Sequence, residues 1–311
     1  MYKLFNRDSS GDIIGNQVDA TATNNLLFMA YSNGPLNVIA GKIPVATSIT
    51  SADPVTPGHG AGAIASYNVG NGFTVAGAFV DALDQGPGED LTGIGQFIPN
   101  TIYAAAVMYK NDMIKANTWY YTATNAIDYI WTLTADITPI AGLKLHGDYA
   151  TGKLDSDNFA NPDTNSYYNL NVSYSMNGFT GMVGYAGTDK TDAGATRSPV
   201  TIAADAPVGA NLPTANRYNI ADVNDIDAWY GKLAYNIDAK TNVYAAYTNI
   251  DQGGTTAAGL NNDSDEYIVG AKYKYNKKLG FHVYYDVLDF DKSFPAANDE
   301  NEFRVEARYN F

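Results

Sequence analysis

An alternation of side-chain character with period two recurs from one end of this chain to the other, and it constrains the fold more than any other feature. In the last segment Phe303, Val305, Ala307, Tyr309 and Phe311 share one face, while Glu302, Arg304, Glu306, Arg308 and Asn310 share the other. A helix would mix these two sets around its circumference, whereas an extended strand sorts them onto opposite faces. The preceding segment sets Leu279, Phe281, Val283, Tyr285 and Val287 against His282, Tyr284 and Asp286. Before it, Tyr267, Val269, Ala271, Tyr273 and Tyr275 oppose Lys272 and Lys274. Similar segments fall near 25–32, 36–42, 62–68, 73–81, 102–109, 114–122, 128–136, 142–151, 166–175, 179–188, 227–236 and 241–250. No segment carries a convincing amphipathic helical pattern. Many of these strands are about ten residues long, the length a tilted strand needs to cross a bilayer.

The connections alternate in length. Short turns occur at Asn33-Gly34-Pro35, Val69-Gly70-Asn71-Gly72, Lys110-Asn111-Asp112, Met176-Asn177-Gly178, Ile237-Asp238-Ala239-Lys240 and Asn276-Lys277-Lys278, where Asn, Asp and Gly are expected to supply the positive φ of tight hairpins. Between them lie longer polar stretches at 43–61, 82–101, 153–165, 189–226, 251–264 and 291–301; one connection, near Thr124 to Ile127, is short where a long one is due. A membrane barrel has short periplasmic turns and longer extracellular loops. A soluble sandwich has no reason to sort its connections this way. The fold expected is therefore all-β: a transmembrane antiparallel up-and-down β-barrel of 16–18 strands in a single domain spanning 1–311. If 291–301 is extracellular, the last strand runs down to a periplasmic Phe311 and the strand at 25–32 also runs down. Tyr2-Lys3-Leu4-Phe5 then reads as the end of an upward strand, which gives about fifteen complete strands plus a stub and a barrel lacking its first two strands.

Composition supports this reading. Tyr, at 24 residues against 12 Phe and 3 Trp, suits a membrane–water boundary because its ring is apolar and its tip polar. No apolar run approaches the roughly 18 residues of a transmembrane helix. Met1-Tyr2-Lys3 leads into polar residues, with no apolar core of a signal peptide. The absence of cysteine excludes disulfides and thiolate metal sites. A net charge of −14 repels polyanions, so nucleic acid is excluded as a partner, and within a channel it would favour cations.

The polar faces are the candidate pore lining. Glu302, Arg304, Glu306 and Arg308 form one row, Lys144, His146 and Asp148 another, and Lys232, Lys272, Lys274, His282 and Asp286 complete the set. Each such charge would be costly in a sealed core and is solvated in a water-filled lumen. His146 and His282 lie beside Asp148 and Asp286, but no nucleophile elbow accompanies them, so the expectation is no enzyme. Gly58-His59-Gly60-Ala61-Gly62 lacks phosphate-loop context and reads as turn and bend residues. Acidic loop residues Asp81, Asp84, Glu89, Asp90, Asp222, Asp225 and Asp227 offer hard oxygens of the kind calcium takes, without EF-hand spacing, and acids in loops are ordinarily solvated surface. The ending Tyr309-Asn310-Phe311 resembles the signal read by the bacterial barrel-assembly machinery, which names that machinery and outer-membrane lipid as partners.

Several pieces resemble the major outer membrane porin family of Campylobacter-type bacteria. They are Val38-Ile39-Ala40-Gly41-Lys42, Asn177-Gly178-Phe179, Tyr273-Lys274-Tyr275 with Lys278-Leu279, and Val305-Glu306-Ala307-Arg308-Tyr309-Asn310-Phe311. The spacing of strands and turns agrees from about Tyr2 to Phe311. The resemblance implies an eighteen-stranded barrel, a homotrimer, and about two strands and the start of a third missing here. It also implies a calcium ion near the pore constriction. Asp90, within Gly88-Glu89-Asp90-Leu91, matches one ligand position; Asp53 lies near a second, where Thr56 aligns more closely, and Asp205 is a third. No cofactor is required beyond that ion.

The expected function is a porin of the bacterial outer membrane: a water-filled, cation-preferring channel for passive diffusion of ions and small hydrophilic solutes. A barrel of this strand number is wide enough for an aqueous channel. Loops 43–61, 82–101 and 189–226 are long enough to fold inward, and the first two are expected to build the constriction because they carry the candidate metal acids. The rival readings are a substrate-specific channel with lumen tyrosines as a stacking track, and a plugged barrel enzyme or adhesin.

Overall fold

The computed structural model describes residues 26–50, 58–84, 101–202, 206–208, 212–215, 220, 223–253, 263–290 and 299–309. In chain order the strands are β1 (Leu27–Asn33), β2 (Leu36–Pro44), β3 (His59–Gly70), β4 (Phe73–Asp84), β5 (Ile102–Lys110), β6 (Ile114–Ala123), β7 (Ile127–Ile140), β8 (Leu143–Leu154) and β9 (Pro162–Asp163). They continue with β10 (Asn165–Met176), β11 (Phe179–Thr188), β12 (Thr196–Arg197), β13 (Ile226–Asn236), β14 (Thr241–Gln252), β15 (Ser264–Lys274), β16 (Leu279–Phe290) and β17 (Glu300–Tyr309). All but β9 and β12 form one 15-stranded sheet in which each strand pairs with its sheet neighbours in chain order, antiparallel at every step from β1–β2 to β16–β17. This is the up-and-down wall of a transmembrane β-barrel. With 15 strands in the ladder, β1 and β17 run the same way, so antiparallel closure passes through an odd number of further strands. The two-residue strands β9 and β12 pair in parallel outside the wall.

Strand pairing explains the period-two pattern. Across β16 and β17 the partners Tyr285–Phe303 and Val283–Val305 share the outer face, while Tyr284–Arg304 and His282–Glu306 share the inner one. The outer face is apolar and exposed, as at Leu233 (71%) and Val183 (60%), which is the arrangement for lipid contact. Aromatic pairs gather at two levels of that face. Near the short turns lie Phe73–Tyr109, with ring centroids 4.6 Å apart, and Phe179–Tyr235 at 4.4 Å. Near the long loops lie Tyr185–Trp229 at 4.5 Å and Tyr247–Tyr267 at 5.0 Å. Trp229 and Tyr235 are both on β13, and six strand residues rise about 20 Å. The two girdles flank the apolar band of the outer face, as at the two interfaces of an outer-membrane barrel.

The short turns use two kinds of chemistry. Asn177 (φ 53°) and Gly178 (φ 84°) are both left-handed, as are Asn71 and Gly72, so these hairpins turn in the sense that strand twist favours. Asn111, Asp238 and Asn276 do not adopt the expected positive φ. Each instead accepts two backbone N–H bonds on its side chain: Asn111 from Met113 and Ile114 at 2.9 and 2.6 Å, Asp238 from Lys240 and Thr241 at 2.7 Å each, and Asn276 from Lys278 and Leu279 at 2.8 Å each. Those N–H donors, Lys240 first, hold the exposed Asp238 carboxyl below its ordinary range.

Candidate functional site

Two connections from the long-loop end fold into the sheet's concave side and meet there. The first follows β2. Thr50 Oγ1 receives the N–H of Thr47 at 2.8 Å and donates to the carbonyl of Val45 at 2.6 Å, which curls residues 45–50 into a tight turn. Ser48 Oγ then lies 2.9 Å from the Tyr121 hydroxyl and 2.7 Å from Thr132 Oγ1, both on the inner wall. Ile43, Val45 and Ile49 pack with Val80, Tyr121, Ile130 and Leu154 in one buried cluster.

The second connection lies between β11 and β13. Val200, Val208, Leu212 and Ala215 pack against Ala150, Tyr167, Ala228, Tyr230 and Ile250 of the wall, and Thr214 Oγ1 lies 2.6 Å from Thr248 Oγ1. Main-chain bonds join the two connections: Ile202 N–H donates to the Ile49 carbonyl at 2.8 Å, and Val208 N–H donates to the Ser48 carbonyl at 3.0 Å. Among the described residues, then, the inward-folding connections are 45–50 and parts of 198–215. Of the two connections expected to build the constriction, residues 45–50 of 43–61 fold inward and meet part of 189–226, while residues 85–100 of 82–101 lie outside the described residues.

Arg197 holds the second connection in place. Its Nη1 donates to the Asp189 carbonyl and Thr191 Oγ1 at 2.9 Å each and to Asn224 Oδ1 at 3.2 Å, and its Nη2 donates to the Val223 carbonyl at 2.7 Å. One guanidinium thus ties together both ends of the long connection, and a planar fork of donors suits that task. Ser198 fixes the connection to its neighbour, donating to the Asp163 carbonyl at 2.6 Å and accepting the Leu154 N–H at 2.8 Å. Nothing in the sequence marks Arg197, because two of these four partners are main-chain carbonyls and the others are neutral side chains.

Below these connections, toward the short turns, lies a cavity of about 520 Å³ lined by Thr47, Ser48 and Pro207 of the inserted segments and by Lys110, Lys115, Trp119 and Thr134 of the wall. Lys110 and Lys115 are direct cross-strand partners. On β7 and β8, Lys144 Nζ lies 2.9 Å from Asp136 Oδ1, His146 Nδ1 lies 2.8 Å from the same oxygen, and His146 Nε2 lies 2.8 Å from Asp148 Oδ2. Both ring nitrogens of His146 thus face carboxyl oxygens. Asp136 was missed in the sequence; its parity with Thr132 and Thr134 is the signal that would have found it.

On the opposite stretch of wall, Tyr244 and Tyr230 each lie across a glycine of the next strand. A Cβ on Gly270 would sit 2.7 Å from the Tyr244 ring, and one on Gly184 would sit 2.2 Å from the Tyr230 ring. Each ring so reaches the strand beyond: the Tyr244 hydroxyl lies 2.8 Å from His282 Nε2, and the Tyr230 hydroxyl bonds Asn169 and accepts from Asn171. Lys232 Nζ sits 4.5 Å and Lys272 Nζ 5.8 Å from the centre of the Tyr244 ring. Glu306 lies 2.9 Å from Arg304 and 3.6 Å from His282.

The register therefore puts all twelve charged positions expected to line the pore, from Lys144 to Arg308, on the inner face. Their environments differ. Asp148 (7% exposed) and Asp286 (0%) are buried, whereas Arg304 is half exposed. Asp90, Asp53, Asp205 and Phe311 lie outside the described residues. Among the described residues no group of three or more His, Cys, Asp or Glu side chains is placed to hold a metal ion.

Comparison with known proteins places this geometry. The Gram-negative porin family model matches residues 103–293. No curated protein sequence matches the chain. Among solved structures, OpdQ of Pseudomonas aeruginosa aligns with a TM-score of 0.69 at 15% identity, covering 91% of this chain and 80% of OpdQ. The outer membrane protein OpdK of the same organism aligns with a TM-score of 0.69 at 11% identity, covering 91% of this chain and 78% of that one. A BenF-like porin from Pseudomonas fluorescens aligns with a TM-score of 0.67 at 15% identity, covering 91% and 77% respectively. At such identities the likeness is one of fold. With a barrel wall, an inner face lined by charge, and a family match over most of its length, the chain belongs to the Gram-negative porins of the bacterial outer membrane.

Proposed function

We propose that this chain acts as a single barrel domain through which ions and small hydrophilic solutes diffuse passively, and that it catalyses no reaction. The observation that carries this reading is the pair of main-chain bonds joining Ile49 to Ile202 and Ser48 to Val208, because they hold two inward-folded connections together across the interior of the sheet. Both nitrogens of His146 are engaged by carboxylates, so that ring is not available to activate a nucleophile. Selectivity then comes from the radius and charge at the narrowing. The net charge of −14 supports a cation preference, and the acids near the long loops, such as Asp189, Asp192 and Asp225, supply it at the extracellular mouth.

The resemblance to Campylobacter-type porins supports a homotrimer, a calcium ion held through Asp90 and Asp53, and assembly through the Phe311 ending. Single-channel recording of the full chain in planar bilayers tests the reading. Expected are ohmic openings, a reversal potential displaced toward the potassium equilibrium in a KCl gradient, and swelling of proteoliposomes in small sugars. No conductance would overturn the channel assignment; a reversal potential on the chloride side would overturn the cation preference alone.

A further inference from the structure

The inner wall below the inserted connections carries a charge of sign opposite to that of the whole chain. Lys232 on β13 and Lys272 on β15 lie on the flanks of one ring, Tyr244, and no carboxylate forms an ion pair with either ammonium among the described residues. The inner-face cross-strand neighbours of Lys232 are Met182 and Ala246, and those of Lys272 are Asn242 and His282, so the wall itself offers neither lysine a counter-charge. Of the two acids whose charges reach the Tyr244 ring, Glu306 is drawn toward Arg304 and His282, and Asp286 is buried in β16. Lys272, Lys274, His282, Glu306 and Arg308 line an open recess of about 430 Å³ at the same end of the wall. Two like charges sharing an aromatic platform repel each other, and a ring face compensates a cation by only about 0.5–2 kcal/mol. An anion with more than one acceptor oxygen relieves that repulsion, because each ammonium brings three donors and no acceptor. The hydroxyl of Tyr244, held by His282 at 2.8 Å, fixes the platform.

We propose that Lys232, Lys272 and the Tyr244 ring form a binding subsite for a small oxyanion on the inner wall, on the short-turn side of the narrowing. It rests on the channel reading above and deepens it: cations are favoured at the acidic mouth, while an anionic solute that has passed the narrowing is held at this wall. The lysines also moderate the cation preference that the mouth creates.

The test is single-channel recording of the full chain in fixed KCl, with sodium acetate titrated on the short-turn side and an equal addition of sodium chloride as control. Acetate is expected to reduce the current in a saturable way and chloride is not. In a Lys232→Gln, Lys272→Gln variant the half-saturating acetate concentration should rise by about tenfold and the reversal potential should move further toward cations. In a Lys232→Arg, Lys272→Arg variant both should stay near the parent values. The heat-dependent shift in electrophoretic mobility of a folded barrel checks each variant. Should the glutamine pair fail to fold, Lys272→Gln alone is read by the same titration, with a smaller shift in the same direction expected. A channel that conducts but shows no saturable acetate effect, an equal effect of chloride, or an unchanged half-saturation in the folded glutamine variant overturns the subsite and leaves the channel standing. A chain that does not conduct overturns both.

Discussion

The backbone N–H of Ile202 bonds the carbonyl oxygen of Ile49 at 2.8 Å, joining the connection after β2 to the connection after β11 across the interior of the sheet. Two segments far apart in sequence thus meet there, each pinned separately to the wall. That arrangement makes its supports separable by experiment.

Arg197 is the first support. Replacing it with Ala removes four hydrogen bonds that hold residues 189–191 and 223–224 together. Bonds to a charged donor are worth about 1.5–3 kcal/mol each, and their effects are not additive. The expected outcome is a loosened connection in an intact wall: unit conductance rises, and limited proteolysis cuts within 189–226 before any strand. Unchanged conductance and cleavage would show that the connection holds its place without the clamp.

Ser48 is the second support. In Ser48→Ala the Tyr121 hydroxyl and Thr132 Oγ1 lose the oxygen that both approach, and Thr132 is fully buried. Two under-satisfied buried hydroxyls cost about 1–3 kcal/mol each. Amide exchange at residues 45–50 should accelerate while exchange in β3 and β6 stays slow. Parent-like exchange at 45–50 would mean that the apolar cluster suffices.

The two faces of the sheet can be tested on neighbouring strands. Leu233 points outward at 71% exposure, and Thr180 on the adjacent strand β11 points inward beside Ala234. Leu233→Arg should cost about 2–4 kcal/mol in a urea unfolding series in lipid vesicles, as expected for a cation against the bilayer midplane. Thr180→Arg should fold with little loss and lower the conductance instead. The opposite pairing of effects would invert the assignment of faces.

Gly270 tests the ring platform. A Val there would bring a Cβ to 2.7 Å from the Tyr244 ring, so the ring must leave its bed and its contact with His282. Overpacking of this kind costs about 1–3 kcal/mol. Gly270→Val should lower the thermal midpoint, whereas Gly280→Ala, whose Cβ would approach only the Tyr273 carbonyl oxygen at 3.7 Å, should not. Equal midpoints for the two would argue that the ring is free to move.

Acid should open one short turn selectively. The Lys240 and Thr241 N–H groups hold the Asp238 carboxyl below its ordinary range in the folded chain. A depressed folded value means that the stabilisation is present above the unfolded value of about 4 and is lost as pH falls through the folded one. Amide exchange at Lys240 and Thr241, corrected for intrinsic rates, should accelerate only below that ordinary range. In Asp238→Ala it should be fast at every pH. A pH-independent, protected turn in the Ala variant would show that the carboxylate is not what shapes it.

Much of the wall was legible in the sequence because two solvents sort each strand's residues. Lipid keeps Phe303 and Val305 on one side, water keeps Arg304 and Arg308 on the other, and parity alone recovers the division. The alternation of connection lengths likewise carried the topology. Other features had no linear trace. The turns at Asn111, Asp238 and Asn276 contain the expected residues but use the side-chain oxygen where a positive φ was expected. The partnership of His146 with Asp136 depends on the register of β7 and β8, which is interrupted by irregularities at Ile127/Tyr129 and Ile137/Ile140. The fit of Tyr244 over Gly270 appears only once two strands lie side by side. Loop length marked 189–226 as able to fold inward, but its actual path rests on carbonyls, which every residue has.

The bonds that set the throat run between main-chain atoms at Ile49, Ile202, Ser48 and Val208, whereas the side chains of Ala46, Thr47 and Pro207 face the adjoining cavity. Shape and chemistry at the passage are thereby assigned to different atoms. Substitutions at the exposed positions 46 and 207 can recolour the opening, in polarity or charge, while its frame stays put, so descendants of this chain have a short route to new solutes that leaves the scaffold untouched.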